Sequence, residues 1–338
     1  METRRVTRVR FWALLAGVAL TAWAASGVVW APVVSPEVLF EPDYTIRYAP
    51  PGGVLAEAGF LPGDSVVSVE GIPVSRLGMY SRWPRSLARR PGESITMVVD
   101  RGGVRVSGEV TYRPAPPGVR SRLIVGDVVG LAFVWLGIWS LLVVPSALAT
   151  RFGTLGITFG FLVPGPDLGA ANGVRDDIQI AAVVLWALLF LRFFLLFPRP
   201  KVRLTGPWAR AALVGPWVVM VACLGLELAF HPRFYHTFGP LYALLATAYP
   251  LLALAAVIHT LATTPREEIR TSGMTSVLWG FGIAVVGIGG WMATAAIPAL
   301  GFPGAWLLPA TLVAVPIGMA VAVRKNTAAR LSGSARTA

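Results

Sequence analysis

Long apolar runs separated by short Arg-bearing segments make up most of this chain, and one stretch near the start breaks the pattern. Eight runs reach the roughly 20 apolar residues that a helix needs to cross a bilayer: 11–33, 123–148, 152–171, 178–197, 209–230, 238–262, 274–298 and 302–323. The third carries Pro164, Pro166 and Asp167 near its end, so a re-entrant hairpin is the alternative there. Between the first run and the second, residues 38–114 hold no long apolar run. They alternate apolar and polar positions in short segments set apart by Gly and Pro, the pattern of a small β-rich unit. The fold class that follows is a polytopic α-helical membrane protein of about eight transmembrane helices with a small β-rich domain inserted after the first.

The basic residues orient the crossings, because short cytoplasmic loops are rich in Lys and Arg. An N-terminus inside puts 15 basic residues in the cytoplasm: Arg4, Arg5, Arg8, Arg10, Arg151, Arg199, Lys201, Arg203, Arg210, Arg266, Arg270, Arg324, Lys325, Arg330 and Arg336. The short outer loops then keep only Arg175 and Arg233. Omitting the third crossing would send the cluster from Arg199 to Arg210 outside, so eight is the consistent count. The expected layout is a cytoplasmic N-terminus (1–10), a first transmembrane helix (11–33), an extracytoplasmic domain (38–114), a seven-helix bundle (122–323) and a cytoplasmic tail (324–338), all in the plasma (inner) membrane. A cleaved signal peptide ending near Ala22-Trp23-Ala24 is the alternative for the first run, and it leaves residues 38–114 outside as well.

Composition agrees. Hydrophobic residues make up 55% of the chain and charged ones 14%, with a mean hydropathy of +0.66, too apolar for a soluble protein of this length. The net charge of +12 sits at the ends of apolar runs, where it anchors helices, and does not point to nucleic acid. Cys223 is the single cysteine, so disulfides and cysteine-based metal sites are excluded.

Within 38–114 the strands and turns can be assigned. Residues 44–48 read as a strand, Pro50-Pro51-Gly52-Gly53 as a turn, and 54–58 as a helical turn closed by Gly59 in the left-handed region. A hairpin joins 65–69 to 72–74 across Glu70-Gly71, a helix runs over 79–88, and 95–99 pairs with 104–110 across Gly102-Gly103. The run from Ala56 through Gly59-Phe60 and Pro62-Gly63-Asp64 to Val69-Glu70-Gly71 resembles the segment that bacterial PDZ domains place after their second strand. The helix, the Arg90-Pro91-Gly92 turn and the closing hairpin follow in PDZ order. The resemblance implies a groove between the strand Tyr44, Thr45, Ile46, Arg47, Tyr48 and the helix bearing Tyr80, Trp83 and Leu87, where an extended peptide or protein segment adds as a further strand. The loop Phe40-Glu41-Pro42-Asp43 lacks the glycine that lets backbone amides approach a carboxylate and carries two acids, which disfavours capture of a free C-terminus.

The apolar runs lack the residues of an intramembrane protease. His231, His236 and His259 are not in a His-Glu-x-x-His array, no run holds Gly-x-Ser, and there is no phosphate-cradling Gly-x-x-x-x-Gly-Lys loop. No catalytic residue, metal site or cofactor is expected. Ionisable groups inside membranes are functional candidates by default. Arg192 is within reach of the cytoplasmic interface, Glu227 and His231 are spaced to share a helix face, and Asp127, Asp167, Asp176 and Asp177 fall at outer ends, where they either rim a pocket or belong to exposed loops. Gly156-x-x-x-Gly160 and the series Gly280, Gly282, Gly287, Gly289, Gly290 permit close helix packing.

One span, an exported PDZ-like domain and seven further spans resemble the membrane sensor portion of competence-type (quorum-sensing) histidine kinases. Phe193-Phe194-Leu195-Leu196-Phe197-Pro198-Arg199-Pro200 is similar to the Phe-Pro exit of a middle span in that group, and Pro265-Arg266-Glu267-Glu268-Ile269-Arg270 followed by Trp279-Gly280 to its next cytoplasmic turn and span. Only 14 residues follow Arg324, without a phosphoacceptor or ATP-binding segment. The resemblance therefore implies a detached sensor module that relays to a separate cytoplasmic signalling protein. The competing reading is a membrane-anchored scaffold that recruits envelope proteins, and a transporter-like or lipid-handling role is a third.

Overall fold

The computed structural model describes residues 2–29, 39–40, 44–49, 51–74, 92–113, 119–144, 146–163, 172–198, 207–230, 235–296 and 305–336. Helices dominate: α1 (Glu2–Val29), α3 (Val119–Val143), α4 (Ala147–Gly160), α5 (Asn172–Leu196), α6 (Pro207–Phe230), α7 (Tyr235–Thr263), the short α8 (Arg266–Thr271), α9 (Met274–Ala296) and α10 (Ala314–Arg336), which a 3-10 helix (Ala305–Val313) precedes. Among the described residues, four stretches are long and apolar enough to cross a membrane: Arg8–Gly27, Ile124–Val143, Ile178–Leu196 and Pro240–Thr263. Two shorter apolar stretches, Ala211–Leu226 and Met274–Gly290, accompany them. The chain is thus a helical protein of membrane type with a small antiparallel sheet.

The helices depart from the bounds of the apolar runs in three places. The third run, 152–171, enters a 14-residue helix, α4 (Ala147–Gly160), that starts before it and ends at Gly160. At about 1.5 Å per residue it reaches roughly 21 Å, short of a hydrocarbon core of about 30 Å. The last run opens as a 3-10 helix over Ala305–Val313 before becoming α-helical. Within the expected tail, 324–338, the described residues are helical. α10 passes through Arg324 and Lys325 without a break and reaches Arg336; the Ala, Arg, Lys and Leu residues after Val323 favour the helix, and no proline stops it.

Small residues set how the helices meet. On the seam between α3 and α4, a Cβ added at Gly137 would lie 3.3 Å from the Cα of Gly153, and one at Gly156 would overlap the Phe133 carbonyl. Gly17 of α1 sits against Ile138 of α3, and the Trp135 indole N–H donates to Thr21 Oγ1 at 3.0 Å. Gly280 and Gly318 do the same between α9 and α10, whereas Gly282 and Gly289 face open space. Ser146 caps α4 by accepting from the Ala149 amide at 3.1 Å. The Phe-rich end of α5 is a packing element: Phe193, Phe194 and Phe197 are buried, with Phe190 and Phe194 against Phe281 of α9.

The described residues between 39 and 113 form the β domain. Its main sheet has the order β4-β3-β5-β6, all antiparallel, with β3 (Ser65–Val69), β4 (Ile72–Pro73), β5 (Ser94–Arg101) and β6 (Val104–Thr111). The β3–β4 turn uses Glu70 (φ 51°) and Gly71 (φ 73°), and the β5–β6 turn uses Gly102 (φ 60°) and Gly103 (φ 91°), the left-handed pairs that two-residue hairpins require. A second sheet pairs β1 (Leu39–Phe40) with β2 (Ile46–Tyr48). The period of two along β5 buries Ile95, Met97 and Val99, which join Leu55 of the single-turn helix α2 (Val54–Glu57), Phe60, Val66, Val69, Val110 and Tyr112 in a core of their own. The expected helix over 79–88 lies outside the described residues.

Candidate peptide-binding site

The strand expected to receive a peptide is β2, and its position follows from one buried side chain. Ile46 is fully buried in the β-domain core. That places its backbone beside the turn that precedes β3: the Ile46 amide donates to the Asp64 carbonyl and the Gly63 amide donates to the Ile46 carbonyl, both at 2.8 Å. Tyr44, held at φ 68°, offers its carbonyl to the Val66 amide at 3.0 Å, and Thr45 bridges Ser65. One edge of the strand is therefore attached to the domain.

The other edge is covered by the chain itself. β1 lies antiparallel to β2, with Leu39 opposite Tyr48 and Phe40 opposite Ile46 and an irregularity between the two pairs. This strand has two residues, and an incoming extended segment has to take its place. Strand addition at this edge would exchange one short strand for another.

The turn that carries β2 is fixed by a bidentate pair. Arg101, at the end of β5, donates from Nε to Asp64 Oδ1 and from Nη2 to Asp64 Oδ2, both at 2.7 Å. The same Nη2 donates to the Gly59 carbonyl at 2.8 Å, and Asp64 Oδ2 also accepts from the Leu61 amide at 2.8 Å. Asp64 is 2% exposed. The Arg101 guanidinium holds its carboxyl below the ordinary carboxylate range, against the opposing effect of burial and with help from the Leu61 amide. A charged, planar fork thus ties the Gly59–Asp64 turn to β5 and presents the Gly63 and Asp64 backbone to Ile46. A second pair, Arg113 with Glu57, joins α2 to the end of the sheet, and Arg113 Nη1 also donates to the Gly52 carbonyl at 3.0 Å.

Of the expected groove residues, Tyr44, Thr45, Ile46, Arg47 and Tyr48 are adjacent on one strand segment, and Ile46 is turned to the domain, with its side chain in the core and its amide and carbonyl both bonded to the Gly63–Asp64 turn. Tyr80, Trp83 and Leu87 lie outside the described residues. Two features escaped the sequence. Pairing of Leu39 and Phe40 with β2 has no local signal in a stretch rich in Pro and Glu. The partnership of Asp64 with Arg101 spans 37 positions; the Pro-Gly-Asp turn named one member and nothing named the other.

In the bundle, Asp127 is buried, with no hydrogen-bond partner for Oδ1 among the described residues. Asp167 and the side chains of Asp176, Asp177, Glu227 and His231 lie outside what is described. Cys223 is a free thiol, and no cluster of His, Cys, Asp and Glu capable of holding a metal occurs among the described residues. The helix contacts gather basic residues at one end. α1 runs antiparallel to α3, with Gly17 beside Ile138 and Thr21 beside Trp135, which brings Arg8 and Arg10 to the end where α3 stops and Arg151 of α4 begins its course. Gly273, just before α9, packs on Ala322 and Lys325 of α10, so Arg266 and Arg270 share an end with Arg324 and Lys325.

No protein-family model, curated protein or solved structure matches the chain.

Proposed function

We propose that this chain is a membrane receptor module. Its β domain is a PDZ-like unit outside the membrane that accepts an extended peptide or protein segment at β2, and the transmembrane bundle relays the event to a separate cytoplasmic signalling protein. The observation that carries this reading is the β1–β2 pairing. A two-residue strand covers the edge at which a peptide would add, and that strand is tied through the nine residues 30–38 to α1. Release of Leu39 and Phe40 frees the tether to α1, which itself packs on α3 through Gly17 and Thr21. A ligand that binds the β1-released arrangement better shifts the population of helix arrangements.

Gathering of Arg8, Arg10, Arg151, Arg266, Arg270, Arg324 and Lys325 toward one end supports a cytoplasmic assignment of that end and hence an outer β domain. The continuous α10, running from apolar sequence into a basic segment, supplies an exit that a simple anchor does not need.

The test places a photoreactive residue at Thr45 and another at Leu331 of the full-length protein in native membranes. Capture of exported peptide segments at Thr45, together with a cytoplasmic kinase, cyclase or phosphatase at Leu331, is the expected result. Capture of envelope proteins at Thr45 with nothing at Leu331 makes the chain a scaffold, and capture of lipid alone at both positions ends the peptide reading.

A further inference from the structure

A groove of about 470 Å³ opens between α3 and α10, within the roughly 300–1,000 Å³ typical of small-molecule sites. Leu136 and Trp139 form one wall and Ile317 and Val321 the other, and one turn further along α10 the lining becomes Arg324 and Lys325. The apolar walls are open to the surroundings of the bundle: Trp139 is 38% exposed and Ile317 48%. Neither Arg324 nor Lys325 has an ion-pair or hydrogen-bond partner among the described residues.

We propose that this groove is a site for an anionic phospholipid of the leaflet at the basic end of the bundle. One acyl chain lies along Leu136, Trp139, Ile317 and Val321, and the headgroup phosphate rests on Arg324 and Lys325. The division of the lining into an apolar length and a doubly cationic end matches an amphiphile with one negative head. A soluble anion would leave the apolar walls unfilled, and a zwitterionic lipid would place its ammonium beside two cations. Trp139 suits the boundary, since amphipathic rings collect at headgroup level. Neighbouring cations add to the attraction for anionic lipid. The assignment rests on membrane embedding of the bundle and is independent of the peptide-receptor reading, because α3 and α10 supply every residue.

The experiment uses the full-length protein in nanodiscs of mixed phosphatidylglycerol and phosphatidylethanolamine, released into detergent and weighed by native mass spectrometry. Wild type is expected to retain phosphatidylglycerol over phosphatidylethanolamine by about tenfold or more, as two basic residues near an anionic headgroup predict. Two variants should each abolish the preference: Arg324→Ala with Lys325→Ala, which removes the head contacts, and Val321→Trp, which fills the apolar length and leaves both cations. Loss in the charge variant with full retention in Val321→Trp overturns the site in favour of diffuse surface charge. Equal retention of the two lipids by wild type overturns it outright, and so does displacement of the retained lipid by millimolar inorganic phosphate, which would make the ligand a free phosphate.

Discussion

Arg101 grips Asp64 with two nitrogens at 2.7 Å each, and through that grip the end of β5 determines where the candidate peptide strand runs. The Gly63 and Asp64 backbone groups that hold Ile46 belong to the same turn that the guanidinium pins. Truncation of Asp64 to Ala strands the Leu61 amide and the guanidinium together. The β domain should lose about 1 kcal/mol, the net worth of a typical hydrogen bond, because the Leu61 and Arg101 partners keep access to solvent. Asp64→Asn keeps the Leu61 bond and should fall between wild type and Asp64→Ala. Hydrogen exchange of the Ile46 and Gly63 amides in the intact protein reads the effect, and unchanged protection in Asp64→Ala would remove the positioning role.

The pair also sets an acid limit. The Asp64 carboxyl is held below its ordinary value of 3.8, chiefly by its hydrogen bond to Arg101. A group whose pKa is depressed by folding contributes stability that is present above the unfolded value and is lost as pH falls through the folded one. Protection of β2 amides should therefore be flat from neutral pH down to about 4 and fall below it. In Asp64→Asn the fall below pH 4 should be shallower. An equal fall in both proteins would assign the acid sensitivity to other carboxylates.

Gly108 of β6 has its own steric test. A Cβ there would meet the Ala58 carbonyl at 2.5 Å and the Phe60 ring at 2.7 Å, although alanine is ordinarily a better strand residue than glycine. Gly108→Ala should destabilise the β domain by about 1–3 kcal/mol as the α2 turn is pushed off the sheet. Limited proteolysis of the full chain within 38–114 measures it, and wild-type resistance would show that the turn yields freely.

The sequence carried the local geometry well and the distant geometry poorly. Glu70-Gly71 and Gly102-Gly103 announced their hairpins because left-handed turns need particular residues, and the apolar runs announced helices because lipid demands length. What the pattern missed was where helices stop and which faces meet. The helix of the third run stops at Gly160, and α10 continues past Val323 with no proline to end it. Gly282 and Gly280 read alike in sequence, yet one faces open space and the other the Ala314 carbonyl; that distinction exists only once α9 and α10 are paired.

Paired glycines give the helix seams a matched test. Gly156→Leu drives a side chain into the Phe133 carbonyl on the α3–α4 seam, while Gly282→Leu adds one where nothing lies within 4 Å. The first should cost about 1–3 kcal/mol or more by overpacking, with a lowered midpoint of thermal unfolding in detergent. The second should stay within about 0.5 kcal/mol of wild type. Equal effects would mean that α3 and α4 are not in close contact.

Orientation can be read with the chain's own economy of cysteine. Cys223 is the single thiol, so a Cys223→Ser background reports on any one introduced cysteine. Arg270→Cys and Arg324→Cys sit at the basic end that Gly273 and Lys325 join, whereas Gly103→Cys sits on the exposed β5–β6 turn. If the basic end is cytoplasmic, an impermeant maleimide should label Gly103→Cys in intact cells and leave the other two unreacted until the membrane is opened. Labelling at position 270 but not at 324 would mean that the number of crossings between them is odd, which the antiparallel packing of α9 on α10 does not allow. Labelling of 270 and 324 together in intact cells, with 103 protected, would turn the whole molecule over and put the β domain, and any peptide it reads, in the cytoplasm.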